Sequence, residues 1–136
     1  MNRIAVAQEL VRIAEMLTAM PMMRVDMGVE LRRDITPVLR QVIGLEGNAA
    51  RANPVFSKLL TNTKGTHNKF HYFAIYQDQS GEFVGGNCAG RIGYPNTYDA
   101  VVVGRSSDYQ DVERKVTQKM MMKMHDKGYE LDRFAA

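Results

Sequence analysis

Few side chains in this sequence can do chemistry, and their spacing decides how far each can go. Cys88 is the only cysteine, and the histidines are His67, His71 and His125. A thiol beside a histidine is the usual start of nucleophilic catalysis, but no histidine neighbours Cys88 along the chain. A cysteine in a strand more often packs than attacks. Only a pocket bringing a histidine within hydrogen-bonding reach of Cys88 would point to catalysis. His67 and His71 are four apart, a spacing that converges two metal ligands on a helix but not across a linker and a strand. The glycine cluster GGNCAGRIG (residues 85–93) has neither the GxGxxG order nor the closing GK[ST] of a P-loop. CxxC, HExxH and GxSxG do not occur. The expectation is a non-catalytic protein with no metal and no cofactor.

The methionines are the other unusual group, ten in all, four of them at Met120, Met121, Met122 and Met124. Methionine fills gaps in cores and also serves adaptable binding surfaces. Met120 and Met124 fit a core stripe. Met122 lies about 200° around a helix from Met120 and falls on the solvent side. It gains weight as a contact residue only where a patch forms around it.

With 136 residues the chain is long enough for one domain with its own core. Apolar content of 45% and charged content of 24% are those of an ordinary globular protein. Net charge is +3 and pI about 9.1, which permits an anionic partner without demanding one. Residues 1–61 carry eight Lys and Arg against six acids, and residues 62–136 ten against nine. No arm of like charge stands out. A single cysteine excludes an internal disulfide and suits a reduced, intracellular setting. No run approaches the roughly 18 apolar residues of a membrane span. Glu9 and Glu15 interrupt the apolar N-terminus, against a signal or transit peptide.

These side chains must be positioned by elements that the pattern suggests in order. Residues 2–19 read as a helix, capped by Asn2 and stopped by Pro21, which either packs on the fold or docks a partner. Val25 to Leu31 alternates like a strand, although Gly28 weakens any regular element there. Thr36-Pro37 looks like a helix start, with Val38, Leu39, Val42 and Ile43 as its apolar face and Gly44 or Gly47 as its end. Asn53-Pro54 opens a short helical candidate through Phe56, Leu59 and Leu60. The polar stretch Thr61–Asn68 then separates an N-terminal helical extension, 1–61, from a sheet-plus-helix domain, 62–136.

Residues 69–77 form a strand with Phe70, Tyr72, Ala74 and Tyr76 on one side and His71, Phe73 and Ile75 on the other. Apolar residues on both sides predict a central strand covered on both faces. A turn over Gln77–Gly81 leads to a second strand, Glu82–Gly90, whose Gly85-Gly86 suggests a bulge or a close backbone approach. After the turn Tyr94-Pro95-Asn96 comes a third strand, Tyr98–Val103, whose run Ala100–Val103 suits burial. Ser107 or Asp108 caps a last helix with a stripe of Val112, Val116, Met120 and Met124, widened by Met121 and Tyr109. Gly128 ends it, and Tyr129 folds back onto the sheet. The fold class is α+β.

From Lys69 to Leu131 this order resembles the WGR domain, named for a Trp-Gly-Arg triplet. The likeness lies in the aromatic strand KFHYFAIY, the Ala89-Gly90-Arg91-Ile92-Gly93 core, and the long helix closed by Gly128-Tyr129-Glu130. It implies a small antiparallel sheet with one long C-terminal helix packed across it, here preceded by an N-terminal helical segment. In DNA-binding relatives, such as poly(ADP-ribose) polymerases, the Trp packs against sugar at a strand end and the Arg meets phosphate; in some members the same surface contacts protein domains. Ala89 stands in the Trp position and offers no stacking surface. Gly90 and Arg91 match the rest of the triplet, and Arg91 keeps a guanidinium fork suited to phosphate. The alternative for Arg91 is a salt bridge to Glu82 or Asp99. Lys69, Asn87 and Arg105 are further candidates for the same face. The N-terminal RIAVAQELVRIAEMLTA is similar in style to leader helices of tailed-bacteriophage proteins. Two roles follow from these likenesses. One is weak nucleic-acid binding through DNA backbone or ends at the WGR-like face. The other is a structural or interaction component of a phage particle, contacting protein subunits through helix 2–19 and Met122. The expected place is host cytoplasm or virion, with no membrane partner and no small-molecule substrate.

Overall fold

The computed structural model describes residues 28–132. Helix α1 covers residues 28–43. It is followed by a 3-10 turn, Gly47–Arg51, then β1 (Phe56–Asn62), β2 (Lys69–Gln77), β3 (Phe83–Arg91), a second 3-10 turn (Pro95–Thr97), β4 (Asp99–Ser106), α2 (Tyr109–Lys127) and β5 (Glu130–Leu131). The strands form one antiparallel sheet in the order β4-β3-β2-β1-β5. The fold is α+β, with α2 packed across the sheet. The helix expected over 2–19 lies outside the described residues.

β2 is the central strand, with the bounds that its alternation predicts. Its Phe70, Tyr72, Ala74 and Tyr76 pack with Leu31, Ile35, Leu39 and Ile43 of α1. Its Phe73 and Ile75 pack with Val112, Val116 and Met120 of α2. The sheet is thus filled between two helices. Burying one such aliphatic side chain contributes roughly 1.5–3 kcal/mol, so each helix is held by its stripe more than by its own propensity.

Gly85 and Gly86 explain how both helices come so close. A Cβ on Gly85 would stand 2.6 Å from Val116 and 2.8 Å from Val112. One on Gly86 would stand 2.5 Å from Leu39 on the opposite face. Adjacent residues of a strand face opposite ways, so the pair opens one window to each helix. The register of β3 against β4 shifts between these glycines, leaving Val103 as the extra residue on β4.

Several expectations are corrected. Residues 28–31 are helical rather than extended, because Leu31 starts the buried every-fourth-residue stripe that continues through Ile43. Thr36-Pro37 sits inside α1, not at its start; the Thr36 hydroxyl donates to the Arg32 carbonyl at 2.5 Å, and apolar packing outweighs the N–H that proline lacks. The segment after Asn53-Pro54 is strand β1, paired with β2 from Phe56↔Ile75 to Asn62↔Lys69. The boundary expected at residues 61/62 therefore falls inside a strand. Finally, Val101 and Val102 are 44% and 42% exposed because β4 is an edge, and only Ala100 of that run is buried. Met124 is likewise exposed, so the buried stripe of α2 stops at Met120.

Asp108 caps α2, accepting from the Gln110 N–H at 3.0 Å. Gly128 ends it at φ +74°, a left-handed conformation that costs glycine little. Tyr129 then turns back and is buried against the α2 side of the sheet, as expected.

Candidate functional site

Closing the β2–β3 hairpin at Gln77↔Phe83 places Lys69 directly opposite Arg91 at its far end. Asn62 of β1 pairs with Lys69 from the other side. Residues paired across a ladder point to one face. Here it is the α2 face, because His71 and Phe73 follow Lys69 in steps of two and Phe73 lies in the α2 core. Lys69 and Arg91 are both exposed.

The last turns of α2 bring more cations to this end. Lys69, Lys123 and Lys127 line an open cleft of about 290 Å³ with Asn62, His67 and Tyr129. Lys119 and Lys123 both act on His71, adding to the effect of burial. Five cations, Lys69, Arg91, Lys119, Lys123 and Lys127, thus share one end of the α2 face. The ion pairs among the described residues are Lys64–Glu130, Arg105–Asp78 and Arg114–Asp111, and none uses these five. Among the described residues no carboxylate lines the cleft, although Asp99, opposite Ala89, lies on the same face of β4, the strand beside that of Arg91.

His71 sits under this layer. Its Nδ1 lies 3.1 Å from Asn87 Oδ1, and its ring meets Tyr129 edge-on at 4.9 Å. Burial pulls its pKa below the ordinary value, the Asn87 hydrogen bond opposes this, and Lys123 and Lys119 add to the lowering. The imidazole is therefore neutral at pH 7. Asn62 donates to the Lys127 carbonyl at 3.1 Å, and the Tyr129 N–H donates to the Lys123 carbonyl at 3.3 Å. These bonds occupy carbonyls whose negative ends would otherwise repel an anion.

The sequence candidates separate. Arg91 and Lys69 come together on the exposed face. Arg91 pairs with neither Glu82 nor Asp99 among the described residues; its guanidinium lies over the Tyr94 ring, 5.1 Å from the centroid. Asn87 is buried and holds His71 instead of facing solvent. Gly90 faces the other way, where a Cβ would stand 2.8 Å from Tyr98; its absence lets Tyr98 meet Phe70 edge-on at 5.0 Å. Arg105 is at the opposite end of the sheet, bound to Asp78 at 2.7 Å. Lys119, Lys123 and Lys127 were not singled out from sequence. Their every-fourth-residue spacing on α2 was the available signal, but it reads equally as a solvated helix face.

Cys88 pairs with Tyr72 and belongs to the α1-side core. Burial, with Asp99 adding to it, pushes its thiol up to about 11, so it is protonated at neutral pH. His71 is on the other face of the sheet.

Among the described residues no helix is long and apolar enough to cross a membrane. No protein-family profile, curated protein or solved structure matches this chain.

Proposed function

We propose that this protein is a non-catalytic nucleic-acid-binding module. Its contact surface is the cationic end of the α2 face, with Arg91 and Lys69 from the sheet and Lys119, Lys123 and Lys127 from the helix. The observation that carries this reading is the gathering of five cations from three elements, none of them in an ion pair and none faced by a carboxylate in the lining of their cleft, among the described residues. Like charges held together repel one another, and a polyanion relieves that repulsion while releasing its own counterions. In this reading the likeness to WGR domains extends to use, with Arg91 in the phosphate-binding position.

The test is fluorescence anisotropy with a labelled single strand and a duplex, at low and at physiological salt. Affinity should fall steeply with salt, with a log–log slope of about −0.7 per phosphate contact on a single strand. Arg91→Ala with Lys123→Ala should flatten that slope while leaving sequence preference unchanged. Absence of binding at low salt, where charges are least screened, would overturn the proposal.

A second reading, a structural or interaction component such as a phage subunit, is favoured by one observation. Met121, Met122 and Met124 are all exposed on α2, Met122 at 55%, and exposed methionine suits adaptable protein contacts. A self-associating chain dispersed by Met122→Lys would support it, and a strict monomer would count against it.

A further inference from the structure

Ala89 leaves the triplet without an aromatic, yet an aromatic ring stands beside Arg91. Tyr94 is 52% exposed and is the only aromatic among the described residues with so open a side chain. Its backbone is fastened by the turn that follows β3. The Tyr94 N–H donates to the Arg91 carbonyl at 3.0 Å, and the Tyr94 carbonyl accepts from the Thr97 N–H at 2.9 Å and the Thr97 hydroxyl at 2.7 Å. That same hydroxyl oxygen accepts from the Arg91 N–H at 2.9 Å. Gly93, at φ +86°, makes the preceding bend. One small network thus fixes Arg91 and Tyr94 together, and the guanidinium lies over the ring.

We infer that Tyr94 is a base-stacking platform, and that the ligand of this face is single-stranded nucleic acid with unpaired bases. This rests on the nucleic-acid reading and narrows it. An exposed ring next to phosphate-binding cations is the combination that holds single strands, because every base has a π-face and a duplex keeps its bases stacked inside. Arg91 contributes cation–π contact to the same ring, and its hydrogen-bonding edge can meet phosphate. Lys69, opposite Arg91 on β2, continues the cationic track towards the cleft at Lys123 and Lys127. A strand would lay a base on Tyr94 and run its backbone along that track.

The test measures binding of the full chain to labelled oligo(dT) and to a duplex of the same length at low salt. Tyr94→Ala should weaken oligo(dT) binding about 5- to 150-fold, the range for one stacked base, and leave duplex binding within about twofold, while Tyr94→Phe behaves as the parent. Since the chain has no tryptophan, Tyr94→Trp adds a single reporter whose emission should be quenched by oligo(dT). Equal losses on strand and duplex would reduce Tyr94 to a support for Arg91 and overturn the inference. So would unchanged oligo(dT) affinity in Tyr94→Ala, with the nucleic-acid reading left standing. If the parent chain binds neither DNA, the reading itself fails and this inference falls with it.

Discussion

The two ends of the sheet treat arginine in opposite ways. At the β2–β3 turn, Arg105 is bound to Asp78, whose side chain is 5% exposed. Asp78 also accepts from the Ser80 N–H at 2.9 Å, the Ser80 hydroxyl at 2.6 Å and the Glu82 N–H at 3.0 Å. Arg105 reaches the Ile43 carbonyl at 3.2 Å, and Gln79 bonds both Gly44 and Glu46. The end of α1, the turn and β4 are thereby tied into one knot. At the other end, Arg91 rests on an exposed ring, with lysines around it that form no ion pair among the described residues. An arginine's use depends on whether the fold sets a carboxylate against it: among the described residues Arg105 has Asp78, and Arg91 has no ion pair.

Breaking the knot should have the largest effect. Asp78→Ala leaves Arg105 without its carboxylate and three donors without an acceptor, and should cost about 2–4 kcal/mol in urea unfolding, with nucleic-acid affinity unchanged. These bonds, the Ser80 hydroxyl first, hold the Asp78 carboxyl below the usual 3.8. Its contribution is thus complete above pH 3.8 and lost as pH falls through the lower folded-state value. Asp78→Asn should remove that acid-limb loss.

Next comes Gly85→Ala. The new methyl would meet the branched Val112 and Val116, whose side chains turn stiffly, and overpacking of this kind costs about 1–3 kcal/mol. A shift in the urea midpoint checks it.

At the open end the order reverses. Lys69→Ala and Arg91→Ala should each leave stability within about 0.5 kcal/mol, while the salt slope of duplex binding falls by about 1 per residue removed. A stability loss as large as that of Asp78→Ala would show that these cations too are structural.

The smallest effect belongs to His71. Its folded-state value lies below the ordinary 6.5, so its contribution to stability is complete above pH 6.5 and declines as pH falls through the lower value. Protonation also adds a sixth cation to the face. Polyanion affinity should therefore rise on acidification as stability declines, and His71→Gln should weaken both trends. Anisotropy and urea midpoints measured from pH 7.5 to 5.5 would check the pair.

Much of this contrast was legible in the chain, and the illegible part has a physical cause. β2 and α2 announce themselves locally, β2 by alternating aromatics and α2 by Asp108 and Gly128 at its ends. The opposition of Lys69 and Arg91 follows once the hairpin is closed. β1 was hidden because its identity lies in its pairing with β2, whereas Pro54 speaks only of local conformation. The part of α1 before Thr36 was hidden because four alternating residues outweighed the longer stripe Leu31, Ile35, Leu39 and Ile43. No local signal says that Arg105 meets Asp78, 27 positions away, or that the lysines of α2 stand beside Lys69. Tyr94 looked like a turn residue because only the folded turn sets its ring beside Arg91.

The register shift at Val103 has a consequence for how this sheet meets other chains. β4 is an outer strand with exposed valines, and such a strand offers a template for an incoming strand of any protein. The extra residue interrupts that template, and Gly104 follows it, so regular backbone for pairing extends only over Asp99–Val102. An incoming strand would meet only this short regular stretch before the ladder breaks, at the edge of the five strands that the described residues form.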